Sequence, residues 1–159
     1  AGGTVLLVYG SGLLCLGDSM VGAQALKIAA AKVNLPFAEA FFRGVLCNVL
    51  VCLAVWLCYA AHDVAGKILA IVFPISAFVA LGFEHSVANM YFIPIGILAA
   101  ADPAIVQASG LSGAALAGLD GSGFLRNLLP VTLGNIVGGG VLVAAVYYLI
   151  YLRGRPARR

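Results

Sequence analysis

The stretch FPISAFVALGFEHSVANMYFIPIG, Phe73 to Gly96, decides the fold. It sits in a hydrophobic run from Lys67 to Leu98, longer than the 20 or so apolar residues that cross a bilayer once. Near its middle, Gly82-Phe83-Glu84-His85-Ser86 brings in two ionisable side chains. Such a group inside a span costs at least about 2.5 to 3.5 kcal/mol unless it is paired or faces a cavity. The run therefore reads as a broken helix. On a helix, His85 shares a face with Asn89 at i,i+4 and with Phe78 at i,i+7, so an aromatic ring, an imidazole and an amide form one line, as in a pore wall. Glu84 points about 100° away. It reads either as a cap for backbone freed by the break or as half of an intramembrane functional pair.

The rest of the chain agrees with a bilayer. Of 159 residues, 63% are apolar and 9% charged, with a mean hydropathy of +1.09. A soluble domain carries about a quarter charged residues, so too little polar surface exists to cover a water-exposed globule. The net charge of +3 comes mostly from Arg153, Arg155, Arg158 and Arg159 at one end, which excludes a nucleic-acid-binding face. The 20 glycines suit helices that approach closely in a membrane. Cys15, Cys47, Cys52 and Cys58 all lie in apolar runs without a C-x-x-C pair or clustered histidines, and read as buried small hydrophobes. No metal or cofactor is expected. An enzyme or redox subunit would need a second His or Cys ligand in a span, and His62 lies at a turn, so no enzyme is expected either.

One transmembrane domain over residues 1–159 is expected, with a partial span at 2–17, a span at 37–61, the broken span at 67–98 and a last span at 124–152. The start has no charged n-region and no A-x-A end, so it is not a signal peptide, and the chain reads as a fragment beginning inside a span. Asp18 to Pro36 reads as a surface or re-entrant helical piece, and Ala101 to Gly123 as a polar, Gly-rich connection. The basic tail at 153–159 goes to the cytoplasm by the positive-inside rule. Counting back, the His62 to Lys67 turn is cytoplasmic, and the stretch with Lys27 and Lys32 is external, against that rule.

Other residues fit the spans. Asn48 interrupts the apolar VLCNVLVC with Val51 one turn on, either as interhelical hydrogen bonding or as pore lining. Glu39 and Arg43, at i,i+4, read as a structural ion pair. Gly134-x-x-x-Gly138, followed by Gly139 and Gly140, reads as a packing face, with Asn127, Thr132 and Asn135 as hydrogen-bonding groups around Pro130.

Three strings, RGVLCNVLVCLAVW (Arg43 to Trp56), Phe73 to Gly96 as quoted, and NLLPVTLGNIVGGG (Asn127 to Gly140), closely resemble the signatures of the formate/nitrite transporter family. They stand in the family's order and spacing, from about its third helix of six to its C-terminus. The resemblance implies an all-α membrane protein with an aquaporin-like inverted-repeat bundle, a broken helix in each repeat, here lacking the N-terminal helices. It implies a homopentamer with a pore in every protomer. His85 is similar to the family's pore histidine, Asn48 to its neighbouring asparagine and Asn89 to the polar residue that follows. Phe78 and Val51 stand where the family has its hydrophobic constrictions, and Lys32 where it has a vestibule lysine; Lys27 has no such counterpart.

The function implied is a bidirectional, proton-linked channel or transporter for small monovalent anions, foremost formate, passing as the neutral acid through a hydrophobic pore. A nitrite or hydrosulfide channel, or a truncated, non-conducting structural protomer, are the alternatives. The implied partners are the anion, protons, the lipid bilayer and further copies of the chain, in a bacterial or archaeal inner (cytoplasmic) membrane. An aquaporin would show Asn-Pro-Ala, whereas Asn89 precedes Met90 and Asn135 precedes Ile136.

Overall fold

Alanine-rich and straight-chain residues favour helix, and the elements of the chain are helices punctuated by glycine, Asx caps and proline. A computed structural model describes residues 2–153, among which there is no strand. In order these are α1 (Gly2–Gly10), a 3₁₀ turn (Leu13–Cys15), α2 (Met20–Val33), α3 (Phe37–Ala60), α4 (Val64–Ala80), α5 (Ser86–Ala99), α6 (Pro103–Ser109), α7 (Gly113–Leu116) and α8 (Gly121–Ile136). Past Ile136 the α8 helix continues in π-type turns, Val137–Ala145 and Tyr148–Leu152. Arg155, Arg158 and Arg159 of the expected basic tail lie outside the described residues. Phe37–Ala60 and Gly121–Leu152 are each long and apolar enough to cross a membrane, while α5 and α6 form a pair bent by 111°.

The chain divides into two compact units. One comprises Ala1–Glu39 and Ser86–Pro130, the other Ala40–His85 and Val131–Arg159. In the first, Leu26, Ala29 and Val33 of α2 are buried with Ile93, Ile95 and Ala99 of α5 and Ile105 of α6. The segment expected as a surface or re-entrant helical piece, Asp18 to Pro36, supplies the core helix of its unit: its lysines sit on the turns between apolar positions, so its mixed composition hides an apolar stripe. A methyl group at Gly96 would overlap the Ala29 side chain, so glycine is what lets α2 and α5 approach this closely there.

The expected single segment at 2–17 is divided. The Ser11 hydroxyl turns back to the Val8 carbonyl at 2.8 Å, and Gly12 takes a left-handed φ of 73°. Cys15, just beyond, is exposed rather than buried, because the 3₁₀ turn points Leu14 inward in its place. The 101–123 connection also holds more structure than its glycines suggest. Asp102 caps α6 by accepting from the Ala104 N–H at 2.8 Å, Ser112 caps α7, and Asp120 accepts from the Gly123 N–H at 2.8 Å at the start of α8.

In the second unit α3 and α8 meet through glycine. A Cβ at Gly134 would strike the Phe41 carbonyl and one at Gly138 the Val45 carbonyl, while Gly44 faces the Val131 carbonyl in return. In lipid, apolar burial adds little between helices, so such backbone contact and hydrogen bonds hold them. Toward the other end of α3, Trp56 stacks edge-on to Tyr147 with ring centroids 5.2 Å apart.

Candidate functional site

The break in the long apolar stretch lies between α4 and α5. Gly82 adopts a φ of 63°, open to glycine at no steric cost. Its N–H donates to the Val79 carbonyl at 3.1 Å, and the Phe83 N–H to the Phe78 carbonyl at 3.0 Å. Glu84, buried at 3% exposure, donates its N–H to the Arg43 carbonyl of α3 at 3.4 Å. Its own carbonyl accepts from the Asn135 amide at 3.0 Å. Non-helical backbone at membrane depth must find partners inside the protein, and here the partners come from α3 and α8.

Asn135 is the centre of this arrangement. Its Nδ2 also donates to the Gly44 carbonyl at 2.9 Å, and its own carbonyl accepts from Asn48 Nδ2 at 2.7 Å. One buried amide therefore ties α3, α8 and the break together. The sequence places Asn135 among architectural groups without marking this role; the signal was a buried-type asparagine between Gly134 and the glycine run, one turn past Val131. The Asn48 bond is of the interhelical kind that one of its two readings foresees.

His85 ends the break, directly before α5, rather than lying in a helix. The helical spacing that put Phe78, His85 and Asn89 on one face does not apply, since residues 81–85 are not helical. Phe78 and His85 nevertheless come together, with ring centroids 6.3 Å apart and planes tilted by 32°. Both are half-buried. Val51, on α3, lines a cavity of about 460 Å³ between α3 and α4.

In the other unit, Asn89 of α5 is fully enclosed and donates to Asn127 Oδ1 at 2.8 Å. Asn127 in turn donates to the Lys32 carbonyl at 2.8 Å. Lys32 itself stands in the last turn of α2, where a cation complements the helix dipole, with its Nζ 5.9 Å from the centre of the Phe92 ring. Asn89 and Asn127 thus fix the backbone that carries Lys32. Glu39 and Arg43 stand one turn apart at the start of α3, and the Arg43 carbonyl is the acceptor for the break.

Among the described residues no three His, Cys, Asp or Glu side chains cluster as metal ligands. The model of the formate/nitrite transporter family matches residues 1–149. The chain belongs to that family. Its members are channels and transporters, not enzymes. The chain is 49% identical over 146 residues to a probable formate transporter of Methanothermobacter thermautotrophicus, covering 90% of this chain and 47% of that protein. It is 43% identical over 154 residues to the formate channel FocB of Escherichia coli strain K12, with 95% and 55% covered. Among solved structures it resembles a pentameric formate channel with formate bound, at a TM-score of 0.83 and 38% identity over 94% of this chain and 60% of that one. The chain spans about half the length of the curated relatives it matches.

Proposed function

We propose that this chain is part of a membrane channel or transporter for small monovalent anions, with formate as substrate, assembled as a homopentamer. The observation that carries this is the break at 81–85, which sets the half-buried His85 imidazole against the Phe78 ring at the middle of an apolar stretch. Support comes from the relatives, whose names specify formate, and from the pentameric structural neighbour. Aquaporin-like inverted repeats, a cytoplasmic C-terminus and an inner-membrane location belong to the same reading. So does the division into spans at 37–61, 67–98 and 124–152.

The physical task is to pass a charge through an apolar constriction. A bare carboxylate moved into low dielectric costs on the order of tens of kcal/mol in the Born limit. Protonating a carboxylate of pKa about 4 at pH 7 costs about 4 kcal/mol, so neutralisation wins. Lys32 draws the anion to the entrance by its field. Phe78 and Val51 form the constrictions, and His85 and Asn48 supply polar stations of the pathway. The imidazole can take up and release a proton. Asn89 supports the pathway through Asn127 and the Lys32 backbone.

The family's name also specifies nitrite, and the same geometry suits that anion or hydrosulfide. Uptake of formate, nitrite and hydrosulfide by proteoliposomes holding the full-length protein separates them. Formate flux well above empty vesicles supports the reading. Flux of nitrite or hydrosulfide alone would reassign the substrate, and no flux of any of the three would leave a structural protomer.

A further inference from the structure

The cavity of about 460 Å³ between α3 and α4 runs beside the turn that joins them. Val51 and Ile75 line it deep along the two helices, while Cys58, Tyr59 and Lys67 line it near the turn, where the Cys58 thiol lies 3.7 Å from the Lys67 carbonyl. Ile75 lies eight positions after Lys67 on α4, a rise of about 12 Å. Lys67 is the one charged residue of α4 and the one charged residue lining this cavity; the rest of the wall is apolar apart from the Tyr59 hydroxyl and the Cys58 thiol.

The Lys67 side chain is exposed, and among the described residues it makes no ion pair. The nearest acid in sequence, Asp63, is engaged as the helix cap, its Oδ1 accepting from the Gly66 N–H at 2.7 Å. We propose that Lys67 is an anion-collecting residue at the mouth of this groove, holding a small monovalent carboxylate before it moves along the apolar wall toward Val51. This rests on the transport reading above, in which Val51 is a constriction. The occupant follows from charge complementarity: one ammonium offers one charge, and the apolar wall beyond it admits the substrate only once the carboxylate has taken up a proton. Lys67 would then serve the cytoplasmic entrance of the proposed topology, as Lys32 serves the external one.

The test uses the full-length protein in vesicles of defined protein orientation, with formate flux measured from each side into formate-free solution. In Lys67→Met the half-saturating formate concentration should rise several-fold from the Lys67 side and stay unchanged from the Lys32 side. Lys67→Arg should restore it, and raised ionic strength should bring wild type toward the Met variant, because an exposed charge is screened. Thermal stability of Lys67→Met should match wild type. Unchanged half-saturation on both sides overturns the proposal. An equal change from both sides overturns it too, and would assign Lys67 to the fold or to an anionic lipid. Wild-type protein that carries no formate would instead overturn the transport reading, before any variant is compared.

Discussion

Asn135 donates its side-chain amide to the carbonyl of Glu84 at 3.0 Å, across 51 positions of sequence. The same amide holds Gly44 at 2.9 Å, so the broken stretch that carries His85 is pinned to α3 through a residue of α8. A carbonyl released from a helix at membrane depth has no water to turn to, and this bond answers that need.

Replacing Asn135 by Ala should therefore strand the buried Glu84 carbonyl, at a cost of about 1 to 3 kcal/mol, and take from the Gly44 carbonyl the bond it accepts besides its helical one. The full-length protein in detergent should melt several degrees lower, with formate flux reduced alongside. An unchanged melting temperature would mean that the Glu84 carbonyl finds another donor.

Gly134 and Gly140 make an internal comparison. A methyl at Gly134 meets the Phe41 carbonyl, which is backbone and cannot swing away, whereas at Gly140 nothing lies within 4 Å. Gly134→Ala should destabilise by about 1 to 3 kcal/mol, as overpacking does. Gly140→Ala should be neutral or gain up to about 1 kcal/mol through reduced chain entropy. Equal effects of the two in thermal unfolding would contradict the close contact of α3 with α8.

At the start of α8, the Gly123 N–H and the Ser122 hydroxyl both donate to Asp120, holding its carboxyl below the usual value. The unfolded group titrates near 3.9. A carboxyl lowered on folding contributes stability that is complete above the unfolded value and is lost as pH falls through the folded one. Asp120→Asn keeps an acceptor oxygen and removes the titration. Wild type should lose stability relative to the Asn variant on acidification from about pH 6 to 2, and parallel curves would show that the cap is insensitive to charge.

His85→Asn keeps a polar side chain at the break and removes an imidazole that can take up and release a proton. The pH dependence of formate flux between about 5 and 8 should flatten while the proposed pentamer stays assembled. A profile identical to wild type would assign the proton to bulk water and leave His85 a shaping role.

The sequence carried the break itself, because Glu84 and His85 are costly in an apolar run, and the glycine face of α8, because Gly134-x-x-x-Gly138 repeats at one helical turn. It misled on the line Phe78, His85, Asn89. That spacing presumes a continuous helix, and once residues 81–85 unwind, Phe78 meets His85 through the turn, while Asn89 is enclosed with Asn127. The hub at Asn135 was out of reach for a different reason. Its partners are main-chain carbonyls, which every residue has, so no side-chain pattern announces them. The buried face of α2 was not legible because Lys27 and Lys32 dominate its composition, although Leu26, Ala29, Ala30 and Val33 form a buried stripe.

The central claim is that formate crosses the apolar constriction only as the neutral acid, and its most direct test counts protons. In proteoliposomes with the full-length protein and an internal pH indicator, an inward formate gradient should acidify the lumen one proton per formate, without building a membrane potential. Formate entry that generates an inside-negative potential and leaves the lumenal pH unchanged would mean that the bare anion passes, and would contradict the account.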